Sequence, residues 1–339
     1  MLPPPADDQE WIAVGIGHQG EHDRSPLWWT STDGATWTAG AVDPITADGP
    51  SSGFVGIARS GTDVAALGQA YSGVHGNARP LVWQRGDDGA LHEVPITREL
   101  FGGPRAMSVT GIAGDAAGFV ASGGYIVGGT WTGGTSSVAA SVWTSRTGAT
   151  WARHADDPQL TSSPDEVVLT SAIAAGDGAR VIVGTTTPLG PGPSQPAFWR
   201  STGSDAWTRV PDAAISSDRA LSTTLVGVAW SPEVGFVAAG IEDGHAVVFV
   251  SHDATQWLRR SFGGASDATV LDLAAFDDGV GVTWRNGKGM HMTVVTHDGL
   301  ETSPAPPPGD VVHVARSGGN TIALVSREGQ VRAYRLEPS

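Results

Sequence analysis

Residues 27–37, LWWTSTDGATW, return as VWTSRTGATW at 142–151, FWRSTGSDAW at 198–207 and VFVSHDATQW at 248–257. In every copy an aromatic stands two residues before a serine and a tryptophan six after it. The serines are Ser31, Ser145, Ser201 and Ser251; the tryptophans are Trp37, Trp151, Trp207 and Trp257. Two looser copies keep the frame, with Arg85, Asp87 and Leu91 in one and Thr296, Asp298 and Thr302 in the other. The six anchors therefore recur about every 45 to 60 residues, a period suited to four-stranded propeller blades.

Between anchors the pattern is also regular. FVGIARSG (54–61), SVTGIAGD (108–115), LVGVAWSP (225–232) and VLDLAAFD (270–277) read as innermost strands. GFVASGG (118–124), VIVGTTT (181–187) and GFVAAGI (235–241) read as second strands, followed by the aromatic third strand, a polar turn and a short fourth. Short apolar runs punctuated by Gly, Asp and Ser are strands and turns, and no capped segment with a 3.6-residue period interrupts them. Such sheets are apolar on both faces, so they must stack in a ring to hide them. The expected fold is an all-β β-propeller with four-stranded antiparallel blades.

Seven blades is the preferred count, with six as the alternative. The first repeat opens on its second strand, EWIAVGI (10–16), and the chain ends on VVHVARSG, TIALVS and VRAYRL. Closure is expected to pair elements from opposite termini. Residues 1–9 read as a flexible tail, residues 10–339 as a single propeller domain, and Pro306-Pro307-Pro308 as an interblade loop.

These repeats resemble the Asp-box, or BNR, repeat of sialidases and related propellers, with STDGATW the nearest copy, one residue shorter than the usual pattern. The resemblance implies propeller architecture and places the aspartates at the rim as structural groups. Thr147 and Gly203 replace the aspartate in two copies. Sialidases use a tyrosine nucleophile with an acid and three arginines, the first in a Phe-Arg-Ile-Pro-like motif that this sequence lacks. Photosystem assembly factors, similar in repeat type, act instead by binding proteins.

Composition narrows the function. The 339 residues are 40% hydrophobic, and 35 acidic against 20 basic residues leave a net charge of −15 without any basic run. That surface repels a nucleic-acid backbone. Cysteine is absent, which removes disulfides and thiol chemistry. No apolar run reaches the roughly 20 residues of a membrane span, so no membrane insertion is expected. The opening residues do not form a secretory signal. The expected location is extracytoplasmic, secreted or surface-anchored, with the cytoplasm left open.

Loops joining second to third and fourth to first strands share one side of a propeller, and here those loops are the long ones. They or their edges carry His18, Glu21, His22, Asp23, Arg24, Tyr71, His75, Arg79, Arg98, Arg105, Tyr125, Trp131, Arg219, Glu242, His245, Arg285 and His291 as candidate ligand-binding residues. Tyr125 and Trp131 lie in a glycine-rich stretch suited to stacking on a sugar or anchoring a protein. Histidines at 18, 22, 75, 245 and 291 raise the question of a metal, but their spacing matches no metal motif, so neither metal nor cofactor is expected. The leading reading is a non-enzymatic binding or assembly propeller for a protein or glycan. Two alternatives stand beside it. One is a glycan-cleaving hydrolase or lyase using acids among Glu21, Asp23, Asp157, Glu166, Asp218 and Glu242. The other is a structural subunit of a cell-surface assembly completed by a partner.

Overall fold

A computed structural model describes residues 1–4, 10–18, 24–72, 77–101, 103–127, 137–154, 157–203, 206–262 and 266–337. They form a seven-bladed β-propeller with antiparallel blades and, for helix, only four short 3-10 turns. Blade 1 holds β1 (Trp11–His18), β2 (Arg24–Ser31) and β3 (Thr38–Ala39). Blade 2 holds β5 (Gly53–Ser60), β6 (Asp63–Ser72), β7 (Asn77–Arg85) and β8 (Leu91–Glu93). A fifth strand, β4 (Val42–Asp43), joins β8 in parallel.

Blade 3 holds β9 (Ala106–Asp115), β10 (Gly118–Val127), β11 (Ser137–Ser145) and β12 (Ala152–His154). Blade 4 holds β13 (Glu166–Gly176), β14 (Ala179–Pro188), β15 (Gln195–Thr202) and β16 (Thr208–Arg209). Blade 5 holds β17 (Thr223–Ser231), β18 (Gly235–Glu242), β19 (His245–Ser251) and β20 (Leu258–Ser261). Blade 6 holds β21 (Thr269–Phe276), β22 (Gly279–Asn286), β23 (Gly289–Val295) and β24 (Leu300–Ser303). Blade 7 holds β25 (Val311–Ser317), β26 (Asn320–Arg327) and β27 (Gln330–Leu336).

The serine–tryptophan hairpins work as wiring. In blade 1 the Gly34 N–H donates to Ser31 Oγ at 2.9 Å, the Ala35 and Thr36 N–H groups donate to Asp33 Oδ1 at 2.8 and 2.7 Å, and Trp37 Nε1 donates to the Gly34 carbonyl at 3.0 Å. These bonds hold the Asp33 carboxyl down at a pKa of about 2, the Thr36 N–H contributing most. Blade 3 repeats the plan through Ser145, Gly148 and Trp151. Thr147 keeps a weaker form of the aspartate's bond, its hydroxyl accepting from Ala149 N–H at 3.3 Å.

Each tryptophan then leans on the blade before it. Trp257 of blade 5 packs with Phe198 of blade 4, Trp207 of blade 4 with Val142 of blade 3, and Trp151 of blade 3 with Val82 of blade 2. Seven buried clusters result among the described residues, one at each seam. The thinnest joins blade 7 to blade 1, where Trp11 meets Ala315 and Ile322, with Met1 and Trp37 packed alongside.

That seam differs from the expected closure. Among the described residues no strand of blade 7 pairs with blade 1; each is a separate three-stranded sheet. Packing closes the ring, because Trp11 and Trp37 lean on blade 7 as the other hairpins lean on theirs. Residues 1–4 are not a loose tail either. Leu2 exchanges two backbone hydrogen bonds with Ile12, at 2.8 and 3.0 Å, and so occupies the inner position that β1 otherwise leaves open. Residues 5–9 lie outside the described part.

A bulge recurs in the inner strands, at Phe54/Gly56, Thr170/Ala172, Leu225/Gly227 and Val270/Asp272. Such a bulge disturbs the ladder locally and twists the strand. At two of the seams a neighbouring blade supplies a partner there: Gln69 Oε1 accepts from Val109 N–H at 2.9 Å, and Thr185 Oγ1 from Leu225 N–H at 3.4 Å. The second strand crosses closely at this point. A Cβ on Gly184 would stand 2.0 Å from the Leu169 carbonyl oxygen, so glycine is required.

Candidate functional site

Inner and third strands begin, and second strands end, on the side that carries the long connections. Tyr71 and Tyr125 lie on the ends of β6 and β10 there, rather than in loops as the sequence suggested. Glu21, His22, Asp23, His75 and Trp131 fall outside the described residues, and His18 ends β1.

Candidates on blades 4 to 6 turn out to be engaged locally. Glu242 is buried, and its carboxylate accepts from Arg259 Nε at 2.8 and 3.0 Å. Arg219 pairs with Asp212 at 3.0 Å. His245 Nδ1 donates to the Asp243 carbonyl at 3.1 Å, and His291 stacks on Trp284 with centroids 4.3 Å apart. Arg285 is exposed on β22. No group of three metal-ligating side chains forms among the described residues.

The carboxylates of the hydrolase reading are likewise occupied. Glu166 pairs with Arg209, while Asp157 and Asp218 accept the turn N–H groups of Gln159 and Ala220, both at 2.9 Å. Glu21 and Asp23 lie outside the described residues.

Blades 1 to 3 are different. Arg24 lies over the Tyr71 ring, 5.6 Å from its centroid, and Tyr71 OH accepts from the same Gln69 whose carbonyl oxygen holds Val109. Arg79 and Arg98 line a cavity of about 160 Å³ with Asp48, Thr46 and Phe101. Arg98 stands 3.7 Å from Asp48. Glu93, on the cavity's floor, is committed to the backbone N–H groups of Ile45 and Thr46 at 2.8 and 3.0 Å.

Register explains why blade 3 is special. Trp143, Trp199 and Phe249 are third-strand partners of Arg153, Arg209 and Arg259 on the fourth strands. Arg209 is neutralised by Glu166 and Arg259 by Glu242. In blade 3 Tyr125 takes the place of Glu242, four residues beyond the partner of the third-strand aromatic. Arg153 accordingly stacks on the Tyr125 ring at 3.9 Å and donates to Ser141 Oγ at 3.3 Å, with no carboxylate partner among the described residues. Arg105 adds a hydrogen bond to the Tyr125 hydroxyl, the main cause of that phenol's lowered pKa, with Arg153 reinforcing it. Two arginines and a polarised tyrosine hydroxyl thus face solvent partners, an arrangement suited to an anionic oxygen.

Sequence reasoning singled out Arg105 and Tyr125 but missed Arg153, Gln69 and Ser141. The signal for Arg153 was present: a W-x-R triplet recurs as Trp151–Arg153, Trp207–Arg209 and Trp257–Arg259.

A larger recess of about 650 Å³ opens on the opposite, hairpin side between blades 3 and 4, lined by Asp115, Arg180 and Trp151 among others. Its Asp115–Arg180 pair is closed on itself through bonds of 2.8 and 2.9 Å. Burial works against the Asp115 charge, yet Arg180 and the Ala117 N–H outweigh it and lower the pKa. We therefore place the candidate site at blades 1 to 3.

No protein-family model and no curated protein sequence matches this chain. Solved structures match its fold. The phage phi92 endosialidase superposes with a TM-score of 0.52 at 12% identity, over 98% of this chain and 66% of that one. A Dyadobacter fermentans protein of unknown function gives 0.52 at 12% identity, over 98% and 92%. The Pyrococcus horikoshii acylaminoacyl peptidase gives 0.56 at 8% identity, over 97% and 49%. This chain spans less than two thirds of the endosialidase and about half of the peptidase. At such identities the likeness is one of fold.

Proposed function

We propose that this protein is a binding propeller whose long-loop side, over blades 1 to 3, recognises carboxylates of an acidic glycan. The observation that carries the reading is Arg153: its counterparts in blades 4 and 5 are neutralised internally, while it and Arg105 converge on Tyr125 with no acid between them among the described residues. A cavity of about 160 Å³ suits one sugar unit better than a protein segment. Exposed Tyr71 offers a ring for stacking beside it. In a chain of net charge −15, the Arg105–Arg153 pair is a local basic spot at which an anion is tolerated. In the same reading the Ser31 and Ser145 hairpins are Asp boxes serving as scaffold, and an extracytoplasmic location goes with a polysaccharide ligand.

The test is calorimetric titration with oligogalacturonate and with the same oligomer after its carboxyls are reduced to alcohols. The acidic oligomer should bind and weaken as salt rises. Arg105→Ala and Arg153→Ala should each cost about tenfold or more in affinity, since a hydrogen bond to a charged group contributes about 1.5–3 kcal/mol. Equal binding of the reduced oligomer would remove the proposal.

A further inference from the structure

Blade 7 stands out in the ring for what flanks its third strand. In blades 2 to 6 the outer edge of that strand is covered by a fourth, β8, β12, β16, β20 or β24, and β3 does the same in blade 1. β27 has β26 on one side and, among the described residues, nothing on the other. Its hairpin with β26 turns through Glu328 and Gly329, both at positive φ (52° and 75°), a two-residue turn in which Arg327 and Gln330 form the flanking pair. Alternation along an antiparallel strand then directs the N–H and C=O groups of Val331, Ala333 and Arg335 away from β26. Three donors and three acceptors stand in a row, over a strand of seven residues. Fourth strands elsewhere are only two to four residues long.

The edge is protected by charge alone. It has no proline and no bulge, and Val331 is 55% exposed. Its Tyr334 and Leu336 are already spoken for, since they pack into the seam with blade 6. Among the described residues of the N-terminal stretch, Leu2 is taken up by Ile12 in blade 1 and Glu10 by Arg85 in blade 2. Charge selects the occupant. In a chain of net charge −15, residues 311–337 hold four arginines against two glutamates, and Arg332 and Arg335 flank Ala333 on the edge itself, both exposed. Two copies joined edge to edge would bring those arginines together.

We propose that β27 is a docking edge that takes an acidic, extended segment of another protein as the fourth strand that blade 7 does not show among the described residues, adding a backbone ladder and covering Val331. The step is β-strand addition: main-chain bonds supply affinity, and arginine–carboxylate pairs supply preference. It is independent of the glycan reading, whose residues lie on blades 1 to 3.

Fluorescence polarisation with a labelled, capped peptide of alternating glutamate and valine, set against its lysine–valine counterpart, tests it on the full chain. The acidic peptide should bind preferentially, slow amide exchange at Val331, Ala333 and Arg335, and raise the thermal midpoint. Ala333→Pro removes an outward N–H that the β26 ladder does not use. It should weaken the peptide at least tenfold while circular dichroism and oligogalacturonate binding stay as in the unaltered protein. Arg332→Glu with Arg335→Glu should invert the charge preference. Unchanged exchange across Gln330–Leu336 would overturn the proposal, as would an Ala333→Pro protein that binds normally. A wild-type dimer in light scattering that Ala333→Pro dissociates would assign the edge to a second copy, and that too would overturn it.

Discussion

The indole of Trp257 lies flat on the ring of Phe198 in the preceding blade, with centroids 4.0 Å apart and planes 20° from parallel. Both rings are buried, 1% and 0% exposed, so this one contact spans the seam between blades 4 and 5. Trp257→Ala should destabilise the protein by about 3–5 kcal/mol, the usual cost of emptying a large aromatic site. Equilibrium unfolding in urea measures it, and a loss below about 1 kcal/mol would mean the seam repacks easily.

Asp33 predicts an acid response. Its folded pKa, about 2, lies below the unfolded value near 3.9, so its contribution is present above the unfolded value and lost as pH falls from about 4 towards 2. Amide shifts of Ala35 and Thr36 should titrate with a midpoint near that of the carboxyl. In Asp33→Asn protein the same shifts should stay flat over that range.

His92 predicts the opposite slope. Its ring nitrogens face Asp88 Oδ1 and Asp43 Oδ2, both at 3.0 Å, and the bond to Asp88 followed by that to Asp43 raises its pKa. The stabilisation is complete below the unfolded value near 6.5 and disappears as pH rises through the raised folded value. Asp43 belongs to β4, so the parallel β4–β8 pair should exchange its amides faster above that point. Proton NMR of His92 should show its pKa falling in Asp43→Asn protein, and high salt should mute the effect because all three groups are exposed.

Glu242 and Tyr125, equivalent in register, should respond oppositely to removal. Glu242→Ala strands Arg259 beside a buried position; breaking a fully buried pair costs about 3–5 kcal/mol, and the partial exposure of Arg259 puts the expected loss at or below the low end. Tyr125→Phe keeps the ring under Arg153 and loses only the hydroxyl. It should leave thermal unfolding within about 1 kcal/mol of the parent while weakening acidic-oligomer binding. Parallel melting curves and titrations separate the two roles.

The ring was legible because its determinants are local: a serine, a turn and a tryptophan within seven residues repeat often enough to fix the period. What joins the repeats was harder to read. β13 was not picked out: EVVLTSAIAAG follows a long polar stretch and carries Ala172 at the bulge where β5 and β17 carry Gly56 and Gly227. The first repeat was expected to open on its second strand, yet a bridge as short as Leu2 to Ile12 leaves no periodic pattern from which to read its partner. At the site, Arg105 and Tyr125 were visible as residue types. Arg153 depends on register across three strands, and its meaning on comparison with Arg209 and Arg259, which find acids that it does not.

The backward lean of every hairpin also gives the ring a direction in time. A ribosome releases Trp11 and Trp37 well before the surface they need, Ala315 and Ile322, which follows hundreds of residues later. Until that surface emerges the two indoles have no mate, which makes their repeat the one that waits longest and is most exposed to premature association with other nascent chains.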